Sequence, residues 1–117
     1  MDVSIARFNL AKRITENSYP GRGIVVGRDA AGDWIQVYWI MGRSENSRNR
    51  IFSEEETILR TEAADPSKVE DPSLIIYNAM RVSGKSFIVG NGLQVDALCE
   101  GLEKGVSFYD TLQNWDY

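Results

Sequence analysis

The sequence predicts an α+β fold of mostly antiparallel strands with flanking helices, and three observations carry that prediction. Apolar residues recur at helical spacing near both ends of the chain. Short β-branched and aromatic runs fill the middle, and two pairs of these runs are joined by turns of hairpin length.

Val3, Ala6, Phe8, Leu10, Ala11 and Ile14 predict a helix over residues 3–16, after which Pro20-Gly21 punctuates the path. Residues 23–27 and 34–40 then form a hairpin around the turn residues Asp29 to Asp33. Both strands are apolar on both faces over several positions, which predicts a sheet covered on two sides. Beyond a polar loop, Ile51-Phe52 and Thr57 to Arg60 read as shorter strands flanking a Glu54-Glu55-Glu56 turn. Residues 63–73, with Pro66 and Pro72, read as a surface connection. Leu74 to Val82 and Ser86 to Val89 make a second hairpin around Ser83-Gly84-Lys85. Val95, Leu98 and Leu102, then Val106, Phe108 and Leu112, predict two short closing helices, with Ser107 and Asp110 forming the start signal of the second. At 117 residues, with no internal repeat, one domain is expected.

Composition removes several kinds of chemistry. There is no histidine, which excludes an imidazole-activated nucleophile and any His-ligated metal site. Cys99 is the only cysteine, so neither an internal disulfide nor a cysteine zinc cluster can form, and its place in a predicted helix reads as structural. The net charge of −4 argues against general nucleic-acid binding. No apolar run approaches the ~20 residues of a membrane span. A cytoplasmic, soluble protein is expected, with a small anion as its ligand.

The loop GRSENSRNR, residues 42–50, concentrates Arg43, Arg48 and Arg50 among Ser44, Asn46, Ser47 and Asn49. Guanidinium forks fit phosphate or carboxylate, and the serines and asparagines add neutral donors. The competing reading pairs Arg43 and Arg50 with Glu54, Glu55 or Glu56 on the surface, for ~0 to 1 kcal/mol. In Tyr19-Pro20-Gly21-Arg22-Gly23 an arginine stands inside a glycine-flanked turn, where backbone amides can approach the same anion. Tyr77 and Asn78 interrupt an otherwise buried strand; their polar groups serve either structural hydrogen bonding or substrate contact. Asn91, between Gly90 and Gly92, reads locally as a left-handed residue or a helix cap.

The segments YPGRGIVVGR (19–28), GRSENSRNR (42–50), IIYNAMRV (75–82) and VGNGLQVD (89–96) together resemble the archaeal-type IMP cyclohydrolase family, in the right order over most of the chain. The resemblance implies an Ntn-hydrolase-like layered α/β/β/α sandwich that does not process itself and has no N-terminal nucleophile. It also implies the last step of purine synthesis, in which 5-formamidoimidazole-4-carboxamide ribotide closes to IMP with loss of water, without cofactor or metal. Under it, Arg22, Arg43 and Arg50 hold phosphate or a developing oxyanion, and Tyr77 hydrogen-bonds or transfers a proton. Ser44, Asn49, Asn78 and Asn91 orient the ligand, with Tyr19 and Gly21 contributing through their turn. Family members continue beyond the counterpart of Tyr117 with another half of the fold, so a single domain truncated at its C-terminal end is expected. Its partners would be a purine ribonucleotide and either further copies of itself or a complementary C-terminal segment. The alternative is a non-catalytic purine-nucleotide binding module or an inactive fragment.

Overall fold

The computed structural model describes residues 2–116. Helix α1 spans Val3–Thr15; the Asp2 side chain caps it by accepting from the Ser4 amide at 2.8 Å and the Ser4 hydroxyl at 2.6 Å. Gly21, at φ +71°, turns the chain in the left-handed region into β1 (Gly23–Arg28). Strand β2 (Trp34–Trp39) returns antiparallel to it. Between them the Asp29 carboxylate accepts from the amides of Ala31 and Asp33, both at 2.9 Å, and so supplies the turn expected there.

A four-stranded antiparallel sheet follows, in the order β3 (Arg50–Glu55), β4 (Ile58–Ala63), β5 (Asn78–Ser83), β6 (Ser86–Val89). Helix α2 (Glu45–Arg48) precedes it, and α3 (Gln94–Glu103) and α4 (Phe108–Gln113) close the chain. The α+β class with antiparallel sheets is therefore as the sequence predicts. Both hairpins, the first helix and the last two helices fall where expected, with the Ser107 hydroxyl accepting from the Asp110 amide at 3.0 Å. Among the described residues no helix is long and apolar enough to cross a membrane.

Successive residues of β6 point to opposite faces and so define the layers. Ile88 packs with Val95, Leu98 and Cys99 of α3, whereas Val89 joins Tyr38, Tyr77 and Ala79 on the side of the first hairpin. The Tyr38 and Phe52 rings meet edge to face at 6.0 Å, and the Gln36 amide donates to the Phe87 carbonyl at 3.0 Å. The hairpin thus lies over one face of the sheet and α3 over the other. Cys99 is buried in this core, as expected of a structural cysteine, and burial pushes its thiol up from the ordinary range.

Three expectations need correction. The acidic turn is shorter: Glu54 and Glu55 belong to β3, and Glu56, at φ +51°, makes the turn with Thr57. The strand expected from Leu74 begins only at Asn78, because Pro72–Leu74 forms a 3₁₀ turn and Thr61 captures the residues after it. Its hydroxyl donates to the Ile75 carbonyl at 2.6 Å and accepts from the Tyr77 amide at 3.1 Å. The first hairpin is not covered on two sides among the described residues, since Ile24, Val25, Val26, Ile35 and Val37 are all exposed.

The connection at residues 63–73 repeats one device. In Asp65-Pro66-Ser67 and again in Asp71-Pro72-Ser73, the aspartate accepts from the serine amide and hydroxyl and starts a proline-led 3₁₀ turn.

Candidate functional site

Two buried phenols define the centre of the site. Tyr38, near the end of β2, and Tyr77, just before β5, share a hydrogen bond of 2.6 Å between their hydroxyl oxygens. Thr61 sets the position of Tyr77, because it is fully buried and bonded to the backbone on either side of Ile76. Burial, then the hydrogen bond and proximity of Tyr77, raise the Tyr38 phenol well above its ordinary range, while the cations of Arg22 and Arg50 pull the other way. Both guanidinium groups are therefore close enough to act on the Tyr38 phenol.

Tyr77 opens onto a cleft of about 590 Å³, which Arg22, Ser44, Ser47, Asn91, Gln94 and Asp116 also line. The glycine-flanked turn delivers Arg22 to this cleft, where its guanidinium donates to the Asn91 carbonyl at 3.3 Å. Asn91 is neither left-handed nor a helix cap: Leu93 is the N-cap residue of α3 and makes no side-chain cap, and the Asn91 side chain accepts from the Gln94 side-chain amide at 3.1 Å. The other Gln94 side-chain atom, Oε1, is buried and has no protein partner. Gly92 leaves room for it, since a Cβ there would come within 2.7 Å of that oxygen.

The arginine loop divides its work. Ser44 and Ser47 form a capping box for α2, each backbone amide donating to the other's hydroxyl at 3.0 Å. Arg50 is fixed by its Nε donating to the Ser47 carbonyl at 2.7 Å, which leaves its Nη1 buried and without a protein partner. It lines an adjoining cavity of about 360 Å³ together with Ser47 and Gly42. Arg43 instead stacks on the Tyr19 ring at 4.3 Å, and the Tyr19 hydroxyl donates to the Met41 carbonyl at 3.1 Å. Neither Arg43 nor Arg50 pairs with Glu54, Glu55 or Glu56; it is Arg60 that bridges Glu55 and Glu62.

Of the residues singled out in the sequence, Arg22, Ser44, Tyr77 and Asn91 meet at the cleft, with Arg50 adjoining. Tyr19, Gly21 and Arg43 stand outside its lining. Asn49 clamps Asp65, donating to its carbonyl and accepting from its amide at 2.7 Å each. Asn78 donates to Asp96 at 2.8 Å, and the same carboxylate oxygen holds Arg81 at 2.8 Å. Sequence reading missed Tyr38 and Gln94. Tyr38 could have been found by the reasoning applied to Tyr77, a phenol inside an apolar strand; nothing local marks Gln94. Among the described residues no group of three or more acidic or cysteine side chains is placed to hold a metal ion.

Residues 19–117 match the family model described as IMP cyclohydrolase-like protein. Similar proteins include the IMP cyclohydrolases of Natronomonas pharaonis, 36% identical over 95 residues, of Haloquadratum walsbyi, 30% over 94, and of Methanopyrus kandleri, 30% over 88. The aligned parts cover 80%, 80% and 75% of this chain but 46%, 45% and 43% of those proteins. The chain spans somewhat less than half the length of the curated relatives it matches, and α1 precedes the family match.

Proposed function

This chain belongs to the family of IMP cyclohydrolase-like proteins, and from that membership we propose that its cleft takes a purine ribonucleotide and serves the closure of 5-formamidoimidazole-4-carboxamide ribotide to IMP. The observation that carries the reading is the phenol pair at 2.6 Å with Arg22 in the same cleft and Arg50 adjoining. Ring closure needs the carboxamide nitrogen brought to the formyl carbon, charge on the formyl oxygen stabilised, and a proton delivered so that water can leave. Arg22 and Arg50 are fixed cations for phosphate or for that oxygen. Tyr77 hands its hydroxyl proton to the formyl oxygen and takes one back from the attacking nitrogen; the second proton of the departing water comes from the formamido N–H as the ring double bond forms, with Tyr38 behind Tyr77 orienting the phenol. Gln94 Oε1 is an acceptor for an amide N–H of the base.

The Ntn-hydrolase-like sandwich belongs to this proposal too, and the stack of hairpin, sheet and α3 supports it as part of such layering. The second reading is a purine-nucleotide binder without turnover. It rests on the cations alone, since Arg22 in the cleft and Arg50 beside it can hold a phosphate whether or not ring closure follows.

Calorimetric titration with IMP, and absorbance after adding the formamido ribotide, test both. Binding with closure supports the enzyme, and binding without closure supports the second reading. Absence of binding by this chain refutes a nucleotide site within these residues.

A further inference from the structure

Asn91 stands between two glycines, and neither Gly90 nor Gly92 takes a positive φ, so backbone conformation alone does not call for glycine at either place. What they leave is room for one side chain. A Cβ at Gly92 would come within 2.7 Å of Gln94 Oε1, and a Cβ at Gly90 would stand 3.5 Å from its Nε2 and 2.7 Å from Val95 Cγ2. In that room the Gln94 amide is locked in one sense, because its Nε2 donates to Asn91 Oδ1 while its Oε1 stays buried without a protein partner. The lock is tied to the cleft's cation, since the Asn91 carbonyl accepts from Arg22. A buried acceptor held this way calls for a donor. Arg22, Ser44, Ser47 and Tyr77 can all donate and so cannot compete for that role in recognising an N–H as acceptors alone. Asp116, which also accepts only, is exposed, where water serves its carboxylate.

We infer that Gln94 is the residue by which the cleft selects the lactam N–H of a 6-oxopurine ribonucleotide over the ring-nitrogen lone pair of a 6-aminopurine, and that Asn91 positions it. The inference rests on the ring closure proposed above. There the carboxamide nitrogen begins with two N–H bonds, gives up one as it joins the formyl carbon, and keeps the other as the ring N–H of IMP. Oε1 set on the N–H that is kept is partnered in substrate and product alike. An adenine ring in the same place turns a nitrogen lone pair to Oε1, so two acceptors meet and neither is satisfied.

Calorimetric titration of this chain with IMP and with AMP, which share their ribose phosphate, measures the preference, with circular dichroism as the check on folding. IMP should bind at least ~10-fold more tightly. Gln94→Leu should abolish the preference, chiefly through lost IMP affinity. Asn91→Ala keeps the backbone carbonyl that holds Arg22 but frees the Gln94 amide to turn over, so it too should shrink the preference. Asn91→Asp keeps an oxygen for Nε2 and should retain it. A merely structural role for either residue would weaken both nucleotides alike. Equal affinities in the wild type, or a preference that survives Gln94→Leu or Asn91→Ala, overturn the inference while leaving nucleotide binding by the cleft intact. Binding of neither nucleotide overturns the ring-closure reading and this inference with it.

Discussion

The Tyr38–Tyr77 hydrogen bond lends itself to a double-mutant cycle. Removing one hydroxyl leaves the other buried without its partner, which costs ~1–3 kcal/mol, whereas removing both leaves two apolar rings of nearly unchanged shape. Tyr77 opens onto the cleft and Tyr38 does not line it, so the two single changes should differ. Tyr38→Phe leaves the hydroxyl of the cleft-lining Tyr77, for a loss of ~1 kcal/mol. Tyr77→Phe leaves the Tyr38 hydroxyl, which has no place on the cleft, for ~2 kcal/mol or more. The double variant should lose clearly less than the two singles together, giving a coupling of ~1–2 kcal/mol. Urea unfolding followed by tryptophan fluorescence, at one fixed protein concentration, measures all four corners. Strict additivity would refute the claim that the phenols satisfy one another.

Other expectations concern ligand, pH and backbone. Arg22→Ala should weaken IMP binding ~10- to 100-fold by calorimetry, with Arg43→Ala having much less effect because that side chain stacks on Tyr19 outside the cleft. The folded Tyr38 phenol keeps its proton above its ordinary value of 10.0, so its contribution to stability is whole below pH 10 and declines as pH rises further. Unfolding midpoints across that range should therefore fall more steeply for the wild type than for Tyr38→Phe; parallel curves would contradict this. Gly42→Ala would bring a Cβ to 2.5 Å from the Ser47 backbone, and should cost ~1–3 kcal/mol in a denaturant titration. Asp96→Ala strips both Asn78 and Arg81 of their shared acceptor and should cost a similar ~1–3 kcal/mol by the same measurement.

The hairpins and helices were readable because local chemistry decides them. Gly21 and Gly84 take positive φ, Asp29 builds its own turn, and Ser107 caps α4. The late start of β5 was not readable. It depends on the Thr61 hydroxyl, which comes from a strand 14 residues away and outcompetes strand pairing over Ile75–Tyr77. Arg22 and Tyr77 were found because a glycine-flanked cation and a phenol in an apolar strand are unusual in any fold. The roles of Arg43, Arg50, Asn49 and Asn78 were not, since a side chain able to hold a ligand can equally hold Tyr19, Ser47, Asp65 or Asp96. Only tertiary placement separates those uses.

The connection between β4 and β5 acts as a strut. Its two aspartate–proline–serine turns satisfy their own polar groups, and the arginine loop brackets it: Asn49 grips Asp65, and Asn46 accepts from the Glu70 amide at 3.1 Å. The loop read as a ligand grip is thus also the fixture that aligns the segment leading to Tyr77. Slackening that bracket would blur the cleft without touching any residue that lines it. Hydrogen exchange at the Asp65 and Glu70 amides would then register wear in the loop before the fold as a whole gave way.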